Sequence, residues 1–74
     1  MRMRWENMTA GEIIEALSKA PKDYKVFQDG RGMITGIVLD VNTDSITFVD
    51  NHTINEYLAE PERYKILGHG EEEK

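Results

Sequence analysis

The sequence contains no cysteine, only two prolines and one tryptophan, and fewer basic than acidic side chains. The lack of cysteine excludes a disulfide framework and any thiolate metal site. No apolar run approaches the ~20 residues needed to cross a bilayer. Met1-Arg2-Met3-Arg4-Trp5 leads into Glu6-Asn7-Met8-Thr9, without the apolar stretch or small-residue cleavage site of a secretory signal. A cytoplasmic protein is therefore expected. Nine Lys and Arg against 14 Asp and Glu leave a formal charge of −5, the reverse of the basic surplus that accompanies a nucleic-acid groove. His52 and His69 are the only histidines and would need carboxylates to complete a zinc site, so no metal and no cofactor is expected.

What remains is enough for one small domain. At 74 residues and 39% apolar composition, nearly every large apolar side chain is needed for a single core. The charge is unevenly placed. Residues 1–30 are balanced, residues 31–58 set Arg31 against Asp40, Asp44, Asp50 and Glu56, and Glu71-Glu72-Glu73 load the end of the chain. Gly68-His69-Gly70 followed by those glutamates reads as the start of a frayed tail. The expected organisation is one domain over residues 1–68 and an acidic tail over 69–74.

Thr9-Ala10-Gly11-Glu12 fits a capping box, in which the threonine hydroxyl accepts the amide of residue 12 and the glutamate reaches back. Met8 and Ile13 occupy the positions of a hydrophobic staple. Ile13, Leu17 and Ala20 recur at helical spacing, Ile14 widens the stripe, and Pro21 stops the run. A helix of about three turns is predicted.

Beyond it the period changes to that of strands. Tyr24–Gln28 is a short strand, Asp29-Gly30-Arg31-Gly32 a turn, and Met33–Val41 a longer strand interrupted at Gly36. A glycine inside a strand marks a bulge, a bend or a close backbone approach. Asn42-Thr43-Asp44 turns the chain into Ser45–Val49, which completes a β-hairpin. Thr53-Ile54-Asn55-Glu56 matches a second capping box, so residues 53–60 read as a short helix or as a kinked strand. Tyr64–Leu67 has the composition of a closing strand, and Met1–Trp5 alternates like an edge strand. The fold class expected is α+β: an N-terminal helix packed on a small, bent antiparallel sheet. Ile13, Leu17, Val26, Phe27, Ile37, Leu39, Ile46, Phe48 and Leu67 are the expected core.

Candidate functional residues are few. Thr9 and Ser45 are a cap and a turn residue rather than nucleophiles. Asp29 and Asp50, or Asp40 and Asp44, could converge for acid–base work, but aspartates at turns usually accept from backbone amides. No catalytic residue is assigned, and a non-enzymatic protein-interaction module is expected. Its surface would be an acidic face of Asp40, Asp44, Asp50 and Glu56 near the hairpin ends, docking a basic protein partner. The alternative is a nucleic-acid binder using Arg2, Arg4 and Trp5, with stacking on the indole. Self-association is compatible with either, since a chain this small often gains stability from a second copy.

Two resemblances add to this. The run Thr9-Ala10-Gly11-Glu12-Ile13-Ile14, with Leu17, Pro21 and Asp23, resembles the T-x-G-E-[LI]-I-x-x-L-x-x-x-P-x-D opening of small bacterial and bacteriophage proteins of unassigned function. It implies an accessory factor of bacterial or phage origin. The span from Val26 to Phe48 is similar in order to the first Sm motif, with Gly30, Gly36 and Val38 at comparable places. That resemblance implies closure of the sheet as an SH3-like or Sm-like barrel, an oligomer and RNA as a partner. Asn42 and Ile46 stand where the motif carries Asp and Asn, and Lys65-Ile66-Leu67-Gly68 is a distant match to the second motif.

Overall fold

A computed structural model describes residues 5–30 and 32–70. The elements run α1 (Ala10–Leu17), β1 (Lys25–Gln28), β2 (Gly36–Asp40), β3 (Ser45–Val49), α2 (Ile54–Leu58) and β4 (Tyr64–His69). The class is α+β, with a four-stranded sheet in the order β1-β3-β2-β4. The sheet is mixed and open, not a closed antiparallel barrel: β1 lies parallel to β3, while β2 is antiparallel to both β3 and β4. Barrel closure would require a ladder between the two outer strands, and here β1 and β4 end the sheet. β3, α2 and β4 form a crossover that steps over β2, so β1, β3 and β4 all run in one direction.

Helix α1 begins as its sequence dictates. The Glu12 amide donates to the Thr9 hydroxyl at 3.2 Å and the Thr9 amide to Glu12 Oε1 at 2.7 Å, so the capping box is complete. The helix is shorter than expected. It ends at Leu17, and bonds from Lys19 to Ala16 and from Ala20 to Leu17 tighten the chain ahead of Pro21. Lys19 Nζ donates to the Leu67 carbonyl at 3.2 Å, tying the end of α1 to β4.

The two central strands, β2 and β3, are covered on both faces. Ala16, Ile37 and Ile46 form the core beneath α1, with Met8, Ile13, Leu17, Leu39, Phe48 and Leu67 packed around them. Trp5, Val38, Val49 and Ile54 form a second core on the α2 side, with Tyr57, Leu58, Tyr64 and Ile66. Successive residues of a strand face opposite ways, so Ile37 and Val38, both fully buried, serve different cores. The register of β2 on β4 slips between them: Ile37 faces Gly68, Val38 faces Ile66, and Leu67 is left unopposed. Gly36 stands where the indole of Trp5 comes down on β2; a Cβ there would lie 2.9 Å from the ring.

Several expectations need correction. Val26 and Phe27 are not core residues; they are 51% and 57% exposed, because β1 has one strand beside it and no helix over it. Ile14 does not widen the buried stripe and is 69% exposed. Residues 54–58 are helical, but the second capping box does not form, since Thr53 makes no side-chain cap bond. The domain does not stop at residue 68. β4 continues through His69, whose ring stacks on Trp5 at 4.2 Å and 11°, and Gly70 is buried with its amide donating to the Thr35 carbonyl. Residues 71–74 of the expected tail, and Met1–Arg4 of the expected edge strand, lie outside the described residues. No described helix is long and apolar enough to cross a membrane.

Burial makes opposite predictions for two isoleucines. Ile37→Ala should cost about 2–5 kcal/mol of unfolding free energy, and Ile14→Ala should stay within about 0.5 kcal/mol. Urea denaturation of both variants checks this; equal costs would contradict the one-sided packing of α1.

Candidate functional site

The four carboxylates of the expected acidic face do not share a surface. Asp40 is 7% exposed and Asp50 is 5% exposed, and both are committed to internal bonds. Asp44 sits in the β2–β3 turn with φ 51°, a left-handed conformation that aspartate tolerates, and its carboxylate accepts from the Tyr24 hydroxyl at 3.2 Å. Glu56 is exposed on α2. Only two of the four therefore remain available to a partner, on different elements.

Asp40 closes the end of β2. Arg63, just ahead of β4, meets it with two donors: Nε to Oδ1 at 3.2 Å and Nη2 to Oδ2 at 3.1 Å. Oδ1 also accepts the Asn42 amide at 2.9 Å, which shapes the hairpin turn. The Arg63 bonds hold the carboxyl below the usual carboxylate range, against a burial that alone would raise it. The guanidinium lies 4.9 Å over the ring of Tyr64, which meets Tyr57 edge-on at 4.7 Å. This is a clamp between strands β2 and β4.

Asp50 does comparable work where β1 and β3 end. Its Oδ2 accepts the Gly32 amide at 3.1 Å, and its Oδ1 accepts the amides of His52 at 2.9 Å and Thr53 at 3.0 Å. The Thr53 hydroxyl lies 3.2 Å from Oδ1. Burial pushes this carboxyl up, and the donors of Gly32, Thr53 and His52 outweigh it, leaving it below its ordinary value. Gly30, at φ 107°, packs directly against the same carboxylate, where a side chain would collide with it. The glycine-rich turn is thus shaped around a protein carboxylate.

Asp29 and Asp50 come to the same corner of the sheet, as acid–base work would require. Each is otherwise engaged. The Tyr57 hydroxyl donates to Asp29 Oδ2 at 2.5 Å, and burial together with this bond and the Asp29 charge raises the tyrosine pKa. No group of three or more His, Asp or Glu side chains able to hold a metal occurs among the described residues.

Trp5 is unavailable for stacking on a base. It is 5% exposed, its ring lies against His69, and Asn51 grips its backbone from both sides, accepting from the Trp5 amide at 3.0 Å and donating to its carbonyl at 2.8 Å. Arg2 and Arg4, the other two residues of the nucleic-acid reading, lie outside the described residues. A shallow groove of about 490 Å³ runs between α1 and β4 over Met8, Ala16, Leu67 and Gly68, with Glu12, Glu15 and Lys19 on its rim.

The least satisfied surface is one that sequence reasoning placed in the core. β1 is exposed at all four positions, and no described strand pairs with its outer edge. The Asp29 amide donates to the Phe48 carbonyl at 2.9 Å, which fixes the phase of the parallel ladder. Lys25, Phe27 and Asp29 direct their main-chain groups to β3, and Val26 and Gln28 direct theirs outward. A signal for this was present: Lys25 and Gln28 bracket only two apolar residues, too few for a strand covered on both faces.

The chain matches no known protein family, no curated protein and no solved structure.

The carboxylate at position 50 carries a prediction. Asp50→Ala should destabilise the fold by about 1–3 kcal/mol, because the Gly32, His52 and Thr53 amides lose their acceptor. Since the folded pKa lies below the ordinary 3.8, this contribution is complete above that value and is lost as the pH falls through the lower, folded value. Thermal melts from neutral to acid pH should show a smaller acid-side loss in the variant than in the parent. An unchanged acid limb would contradict the role.

Proposed function

We propose that this domain is a non-catalytic protein-binding module that accepts an extended segment along the outer edge of β1. The observation that carries this reading is the pairing of open main-chain groups with exposed apolar side chains on one strand. Val26 and Phe27 are each more than half exposed, and the strand holds neither a proline nor a bulge. Natural sheets usually protect such edges. The opposite edge is protected: β4 carries the register slip at Leu67, and Lys19 covers the carbonyl of that residue.

Strand addition takes affinity from main-chain bonds and specificity from alternate side chains, so it needs neither a cleft nor a cofactor. The internal engagement of Asp29, Asp40, Asp50 and Tyr57 supports a binding role over a catalytic one. An accessory role in a bacterium or bacteriophage, which the helix-opening pattern resembles, suits a module of this size.

Val26→Pro removes an outward-facing amide and leaves the β1–β3 ladder intact. An immobilised set of short peptides with alternating apolar and polar residues should retain the dilute parent protein. The variant should bind at least about tenfold more weakly, and Ile14→Ala should bind like the parent. Retention of no peptide, or equal binding by Val26→Pro, would overturn the reading.

A further inference from the structure

We propose that a second copy of this chain is an occupant of the β1 edge, through antiparallel β1–β1 pairing about a two-fold axis at Phe27. This rests on the strand-addition reading above and specifies its partner. The ladder phase makes the register selective. Antiparallel partners must both point their main-chain groups at each other or both away, so an outward residue such as Val26 can face only another outward residue of the other copy.

Centring the pair on Phe27 sets Val26 opposite Gln28 twice, each a hydrogen-bonded pair. Phe27 meets its own copy at a non-hydrogen-bonded position, where side chains approach most closely. The same register sets Lys25 opposite Asp29 at both ends of the interface, so opposite charges face each other twice. Asp29 has an oxygen to offer, because Tyr57 bonds only Oδ2. Centring on Val26 would instead set Asp29 against Asp23, and centring on Gln28 would set Phe27 against Asp29. Charge complementarity thus favours the Phe27 register.

Nothing described obstructs it. α1 lies over β2 and β4, away from this edge. Phe27 shares the sheet face of Thr47 and Val38, and there the second ring would cover an apolar surface that this chain leaves open. The product is one continuous sheet across both copies, with the protected β4 edges outermost.

Sedimentation velocity over the micromolar range is the test. The parent protein should show a concentration-dependent dimer that weakens with added salt. Lys25→Asp, which sets aspartate against Asp29, should raise the dissociation constant at least about tenfold, and Val26→Pro should do the same. Asp29→Lys alone should also be monomeric, whereas an equimolar mixture of Lys25→Asp and Asp29→Lys should form a heterodimer, because each mixed pair is again of opposite sign. That recovery excludes misfolding as the cause of the single-variant losses. A parent protein that stays monomeric, a dimer that survives both Lys25→Asp and Val26→Pro, or a mixture that fails to associate would overturn the proposal. A monomeric parent that still captures extended peptides would overturn self-pairing alone, and loss of both would overturn the edge reading as well.

Discussion

The rest of the structure depends on β2 being buried from both sides. Ile37 turns to α1 and Val38 to α2, neither with any solvent exposure. A chain of this length cannot build two independent cores, so one central strand serves both, and its neighbours are positioned to complete them. β3 contributes Ile46 to one face and Val49 to the other, and β4 contributes Leu67 and Ile66. The register slip at Leu67 keeps β4 contributing on both sides while the chain bends under α1. Trp5 closes the α2-side core at its open end, and the missing side chain at Gly36 lets the indole descend onto β2.

Economy in the centre leaves the ends of the strands and the outermost strands to polar devices. Asp40 and Arg63 join β2 to β4 at one end, and Asp50 gathers the loops after β1 and β3 at the other. These carboxylates are buried anions with matched donors, so their charge is used inside the molecule. Part of the acidic surplus is therefore architectural. The two sheet edges diverge for the same reason. β4 lies under α1 and can be covered by Lys19, whereas β1 has no comparable helix packing on it and keeps its outward amides and apolar side chains open.

Much of this was legible in local sequence. The Thr9–Glu12 box, the stop at Pro21 and the hairpin around Asn42–Asp44 each depend on residues near one another in the chain. The failures share another feature. Thr53 and Glu56 have capping-box spacing, but Asp50, three residues before Thr53, takes the amide and hydroxyl of that threonine first. His69 reads as tail because glycines flank it, yet Trp5 lies across the sheet to receive its ring. Asp40 and Asp50 read as surface charge because one donor to each, Arg63 and Gly32, is distant in sequence.

The sequence by itself determined the α+β class, the capped first helix, the hairpin and the exclusion of disulfide and thiolate chemistry. These follow from side-chain periodicity, turn-forming residues and composition, which need no knowledge of what the chain folds against. Tertiary structure alone decided that β1 lies parallel to β3 and that two acidic residues are internal. Each of those depends on which segments meet across the sheet, and a strand's hydrogen-bonding partner leaves no mark in its own sequence. The open edge of β1 arises from that same step, since Val26 and Phe27 have the composition of a core strand and the exposure of a docking strand.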